Sequence, residues 1–156
     1  MSSKLASSIK QNIPFLSLEE ELSLVLFRLA NDLGYEMAEL LKAENLSASQ
    51  YNILRILRGA GETGHACSAV AERLVVKAPD MTRLLDRMEK QGLITRQREA
   101  HDRRVVTTRI TEAGLKLLAK LEAPLATLQK QQFKQLSKTK KEQLLTLLEE
   151  LGNTPA

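Results

Sequence analysis

Between Val76 and Thr111 the apolar residues change period, and that change limits the fold more than any other feature of the chain. Met81, Leu84, Leu85 and Met88 recur at helical steps of three and four. Pro79 suits the first turn of this helix, which is expected over 79–90, and Gly92 suits the position just past its end. Two strand-like runs come next, Leu93 to Arg98 and Val105 to Ile110. The second is β-branched and alternates Val106, Thr108 and Ile110 against Val105, Thr107 and Arg109, as a half-buried strand does. The connection EAHDRR lacks the Asn-Gly or Asp-Gly of a two-residue turn, so the hairpin tip is expected to be long and mobile.

The flanking segments read as helices. Residues 1–14 form a polar, flexible arm, and Pro14 opens the first helix. From Phe15 to Leu41 the pattern is helical: Phe15, Leu18, Leu22, Val25, Leu29, Leu33, Met37, Leu40. Leu24, Leu26 and Phe27 widen the apolar surface beyond one stripe, which predicts that the N-terminal half meets a second chain. Ser47 with Gln50 makes a capping box, and Leu46 with Tyr51 a hydrophobic staple, so a second helix carries Ile53, Leu54, Ile56 and Leu57. GAGETG ends it in a loop. A short helix spans Cys67 to Leu74. After the hairpin, Thr111 caps a helix with Leu115, Leu118, Leu121, Leu125 and Leu128, running to about Leu136 and kinked at Pro124. A last helix, about 138–151, presents Leu144, Leu147, Leu148 and Leu151. Helix, short helix, basic helix and hairpin in that order make a winged helix-turn-helix.

Charge sharpens the reading. Residues 77–110 hold nine Lys or Arg against five acids, a net +4 equal to that of the whole chain. Residues 15–44 carry seven acids and two bases. Such polarity offers a basic face to a partner and keeps an acidic end away from it. Arg83, Arg87 and Lys90 fall at i, i+4 and i+7, opposite the apolar side of their helix, with Thr82 and Asp86 beside them. This helix fits a major groove about 12 Å wide, where Arg pairs with guanine and Thr meets a thymine methyl. Asp80 favours the helix N-terminus, and Asp80 or Asp86 can accept from cytosine. A solvated charged face explains the basic row equally well when it is taken alone. The tip His101-Asp102-Arg103-Arg104 suits the narrow, negatively charged minor groove. Basic helix and basic tip together make a reader of two grooves. Lys77, Pro79, Asp80, Thr82, Arg83, Arg87, Arg98, Asp102, Arg103 and Arg104 are therefore the candidate contacts to double-stranded DNA.

Other chemistries find less support. Two His, one Cys, no phosphate-binding Gly-rich loop and no credible pair of carboxylates argue against an enzyme. His65-x-Cys67 supplies too few ligands for zinc, so neither metal nor cofactor is expected. A single Cys excludes an internal disulfide and fits a reducing compartment. MSSKLASSIK has no apolar signal-peptide region, and no apolar run approaches the ~20 residues of a membrane span, so a cytoplasmic protein without a membrane partner is expected.

Three pieces carry a resemblance: TRLLDRMEKQGLI (82–94), Asp102-Arg103-Arg104, and Ile110-Thr111-Glu112-Ala113-Gly114. Together they resemble the MarR (multiple antibiotic resistance regulator) family, and the helix order matches over roughly residues 15–151. The resemblance implies a mainly α homodimer. Its frame would be residues 15–45 and 112–156 and its winged helix-turn-helix lobe residues 46–111. Phe15, Leu18, Leu22 and Val25 would interlock with Leu144, Leu147, Leu148 and Leu151 of a second copy. It implies binding to a pseudo-palindromic operator, regulation as a repressor, and release by a small, often aromatic or phenolic, ligand. Asp102 and Arg104 match the family's Asp-x-Arg, in which the Asp orients an Arg entering the minor groove, and Arg83 and Arg87 match positions near DNA. The implied ligand pocket, between frame and lobe, would draw on Leu33, Met37, Tyr51, Leu54, Arg55 and Leu117; plain core is the readier reading of each, and Arg55 reads equally as a solvent-facing residue. Lys77-Ala78-Pro79-Asp80 stands where members often carry Ser or Thr, so operator choice is expected to differ there. Peroxide-sensing members carry their cysteine in the first helix, whereas Cys67 begins the third, which favours a structural thiol. A ligand-independent, architectural winged-helix protein is the alternative. Arg104→Ala should weaken specific DNA binding severely and leave the dimer intact; unchanged operator affinity in a gel-shift titration would reject the wing assignment.

Overall fold

The first helix begins at a hydroxyl, not at a proline. In the computed structural model, which describes residue 10 and residues 14–99 and 105–152, Ser17 Oγ accepts from the Glu20 amide at 3.2 Å and caps α1, Leu18–Lys42. Glu19, Glu20 and Glu21 then lie at the positive end of the helix dipole. Phe15 therefore precedes the helix, three residues short of its expected place within it. The start at Ser47 is as expected. Its amide donates to Gln50 Oε1 at 2.9 Å and its hydroxyl accepts from the Gln50 amide at 3.2 Å, opening α2, Ala48–Ala60. Leu46 and Tyr51 both join the core beside it.

After one 3-10 turn, Gly61–Thr63, a strand appears between the expected loop at 59–64 and the expected helix at Cys67, where the sequence pattern assigns no element. β1, His65–Ala66, pairs antiparallel with β3, Val106–Ile110, placing His65 opposite Thr108 and Ala66 opposite Thr107. β3 pairs on its other side with β2, Ile94–Arg98. The sheet order is β1-β3-β2, so β3 is central. This corrects the expected alternation. Thr107 and Thr108 are both buried, the Gly64 turn lying close against Thr107 Cγ2 and the Thr108 carbonyl, while Val106, Arg109 and Ile110 are half-buried.

Between β1 and β2 come α3, Cys67–Glu72, and α4, Met81–Lys90. α3 stops two residues before the expected Leu74, which still packs on the core. Pro79 lies outside α4, one residue ahead of its cap, instead of in its first turn. α4 closes on Gly92 at φ 71. The Gly92 amide donates to the Glu89 carbonyl and the Leu93 amide to the Met88 carbonyl, the paired bonds of a Schellman turn. α5, Glu112–Gln132, starts at the Thr111 hydroxyl and runs unbroken past Pro124, ending short of Leu136. α6, Lys138–Gly152, is the last described helix.

One core unites these elements: Leu41 and Leu46; Ile53, Leu54 and Leu57 of α2; Val70, Leu85, Met88 and Ile94; and Leu118, Leu121 and Leu125 of α5. Leu115, expected on the inward stripe of α5, is exposed. Burying each such aliphatic side chain contributes about 2 kcal/mol. α6 contributes no buried residue. The expected flexible arm and the hairpin tip at 100–104 fall largely or wholly outside the described residues.

Gly64 sits at φ +66, where an added Cβ would lie 2.4 Å from the Thr108 carbonyl oxygen and 2.9 Å from Thr107 Cγ2. Gly64→Ala should destabilise the fold by roughly 2–4 kcal/mol, from strain and overpacking together. Gly59→Ala, whose Cβ would meet nothing within 4 Å, should be neutral or slightly stabilising. Urea midpoints of the two variants check the contrast, and equal midpoints would contradict the close approach at β3.

Candidate nucleic-acid interface

α4 is held by its apolar side and shows its cationic side. Leu85 and Met88 are buried, Met81 and Leu84 partly so, and Thr82, Arg83, Arg87 and Lys90 are exposed. Asp80 caps the helix, its Oδ1 accepting from the Arg83 amide at 3.1 Å. Its Oδ2 lies 3.1 Å from Arg83 Nε. Asp80 thus does locally what a Ser or Thr would do at this position, and it also draws Arg83 back toward the helix start. Lys77 and Pro79 are exposed in the turn leading to the cap, and Arg98 is exposed on β2.

Arg96 was not among the expected site residues, and it is the most heavily bonded side chain here. Its Nε and Nη2 donate to Glu89 Oε2 at 3.0 and 2.7 Å, and Nη2 also donates to Asp86 Oδ1 at 2.5 Å. Its backbone amide donates to Glu89 Oε1 at 3.0 Å. Glu89 is the main cause of a pKa raised above the ordinary Arg value; burial opposes the rise and Asp86 adds to it. A raised Arg pKa means that Arg96 itself stays charged through the ordinary Arg range, and its linked contribution is lost only as pH rises beyond that range. Asp86, read as one of two acids that can accept from cytosine, is thus paired with Arg96. In sequence the cluster shows only as two acids at i, i+3 on one helix side; nothing there singles out Arg96 from Arg98 as the residue that meets them.

On β3, Arg109 Nε donates to the Glu62 carbonyl at 2.8 Å and Nη2 lies 3.4 Å from Glu99. Four of the five acids of the basic segment, Asp80, Asp86, Glu89 and Glu99, thus face an Arg. The fifth, Asp102, lies with Arg103 and Arg104 outside the described residues. Among the described residues, Lys77, Arg87, Lys90 and Arg98 are exposed and in no ion pair. The sequence's net charge of +4 is thus sorted into an internally paired set and a solvent-facing cationic set.

The other candidate residues divide. Leu18 and Leu22 on α1 and Leu144, Leu147, Leu148 and Leu151 on α6 are all exposed, while Phe15 and Val25 are half-buried. Leu33 and Met37 line a cavity of about 200 Å³ between α1 and α5. Leu54 is fully buried, and Tyr51 and Leu117 pack against the core. Arg55 is exposed, with its guanidinium 5.9 Å from the Tyr51 ring centre. The six expected pocket residues thus do not share that cavity. Cys67 is a half-buried free thiol. No described helix is long and apolar enough to cross a membrane.

Compared with known proteins, residues 46–106 match the MarR family model. The organic hydroperoxide resistance transcriptional regulator of Bacillus subtilis is 34% identical over 139 residues, covering 87% of this chain and 92% of its own. The homoprotocatechuate degradative operon repressor of Escherichia coli is 31% identical over 118 residues, covering 74% and 78%. Among solved structures, a MarR transcription factor from Planctomyces limnophilus is 40% identical and superposes with a TM-score of 0.69, covering 87% of this chain and 98% of that one. Bordetella bronchiseptica BpsR, described for regulation of its DNA binding by 6-hydroxynicotinic acid, superposes at 0.78 over 92% of this chain and 100% of its own. At 17% identity that last likeness speaks for fold alone.

Proposed function

We propose that this chain, which belongs to the MarR family of transcriptional regulators, is a repressor that binds a pseudo-palindromic DNA operator as a homodimer and leaves it when a small aromatic or phenolic ligand binds. The observation that carries the DNA reading is the sorting of charge on the winged lobe. Acids of the basic segment face arginines, while Lys77, Arg87, Lys90 and Arg98 face solvent unpaired. Cations held this way suit phosphates, whose neutralisation supplies most of the affinity and makes it fall steeply with salt. α4 enters a major groove with Thr82, Arg83 and Arg87, and Arg104, oriented by Asp102, enters the adjacent minor groove. Two half-sites lie about 34 Å apart, one helical turn.

The dimer reading is supported by α6. A 15-residue helix without tertiary packing is marginal in water, yet α6 buries nothing within its own chain and exposes Leu144, Leu145, Leu147, Leu148 and Leu151. α1 likewise exposes Leu18, Leu22, Leu24, Phe27 and Leu29. Two apolar surfaces at the chain's ends suit a second copy, which makes residues 15–45 and 112–156 the frame and residues 46–111 the reading lobe. The repressor named among the relatives supports the repressor reading. The cavity at Leu33 and Met37 supports an effector site beside the frame. Leu54 lies outside this cavity, fully buried in the core, so a ligand that also reaches it needs a second state with that region parted. A ligand that prefers the parted state weakens DNA binding by its differential affinity for that state.

Leu22→Asp or Leu147→Asp should give a monomer in sedimentation; a stable dimer in both variants would reject the two-ended interface. Selection of bound duplexes from a random pool should recover two inverted half-sites, and repeating it with a panel of aromatic acids should lower the yield. Recovery without sequence enrichment or ligand effect would favour an architectural binder instead.

A further inference from the structure

We propose that Arg96 is a positioning residue for DNA reading: it fastens α4 to the open edge of the wing and so sets the angle at which helix and hairpin meet the duplex. The inference rests on the proposed DNA-binding function.

β2 is an edge strand, with β3 on one side only. Edge strands present backbone amides that need partners. The Arg96 amide finds Glu89 Oε1, a side-chain atom of α4, at 3.0 Å. The other oxygen of the same carboxylate takes Nε and Nη2 of Arg96, and Asp86 takes Nη2 as well. One residue is thus gripped through its backbone and its guanidinium by two carboxylates one helical turn apart. The Gly92 turn joins α4 to β2 at one point and the buried Leu85 and Met88 anchor the inner side of the helix, so a small roll about its axis is the motion left to restrain. The clamp opposes that roll, because turning α4 would carry Asp86 and Glu89 off the strand. A guanidinium suits this role through its rigid fork of donors, which a Lys ammonium lacks. The Arg96 side chain is 23% exposed, and reaching a phosphate would require it to leave both acids. The clamp has a second effect: it keeps two negative charges of the reading helix engaged, away from the phosphate-lined groove.

The test uses the full chain with two probes, the duplex selected by the wild type and a scrambled duplex of equal length. Arg96→Gln should still melt cooperatively without DNA. Its affinity for the selected duplex should fall roughly ten- to a hundredfold, the scale of lost charged hydrogen bonds, with a smaller loss on the scrambled duplex. The slope of log affinity against log salt should stay at the wild-type value, because no phosphate contact is removed. Arg96→Lys should recover part of the preference. An unchanged preference, or a slope reduced by about one unit as for a direct phosphate contact, would overturn the proposal. If Arg96→Gln does not melt cooperatively, Glu89→Gln, which keeps an oxygen for the Arg96 amide, carries the comparison of the two duplexes, and an unchanged preference there overturns the proposal. Failure of the wild type to bind any duplex would instead reject the DNA-binding reading.

Discussion

The turn at Gly92 and Leu93 joins four elements within a few ångströms, and the outward face of the lobe depends on it. The Leu93 amide closes α4 on the Met88 carbonyl. The Leu93 carbonyl accepts from the Thr111 amide at 3.1 Å, and the Gly92 carbonyl accepts from the Thr111 hydroxyl at 2.7 Å. The same hydroxyl accepts from the Gly114 amide and so caps α5. Gly114 has no side chain to resist this approach; a Cβ there would stand 2.5 Å from the Leu93 carbonyl oxygen. The end of α4, the start of β2, the end of β3 and the start of α5 are thereby held at one junction. The basic helix and the wing inherit their mutual placement from it.

Electrostatics refines what the junction sets. Arg96 is gripped by Asp86 and Glu89, and Arg109 by the Glu62 carbonyl and Glu99. These contacts tie the sheet to α4 on one side and to the turn after α2 on the other. They also remove acids from the surface where a polyanion would dock. Partly exposed ion pairs contribute little to stability on their own. What they add is direction: each guanidinium joins its strand to a defined atom of a neighbouring element.

The apolar surface obeys a different logic. α5 and α6 carry similar leucine patterns, yet Leu118, Leu121 and Leu125 are buried while every leucine of α6 is exposed. Periodicity shows that each helix has an apolar side and is silent on what lies against it. α1 divides in the same way along its length, with Leu41 in the core and Leu18 and Leu22 in solvent. The excess width of its apolar surface, with Leu24 and Phe27, is the legible sign that one chain does not use all of it.

The sequence by itself determined what is settled within about four residues. The caps at Ser47 and Thr111, the glycine that ends α4, the inward set Met81, Leu84, Leu85 and Met88, and the cationic row opposite them all rest on hydrogen bonds and side-chain directions inside one or two turns. Where a local choice had competitors, the expected boundary moved: Ser17 took the cap from the Pro14 region, and Asp80 took it from the Pro79 turn. Tertiary structure alone decided the rest. β1 is two residues long, too short to show a period, and exists because β3 offers it an edge more than forty residues away. Arg96 looks in sequence like one more member of a basic run, and is a structural tie because folding brings Asp86 and Glu89 to the same strand edge. Contacts of that kind depend on where the chain returns, which no local pattern records.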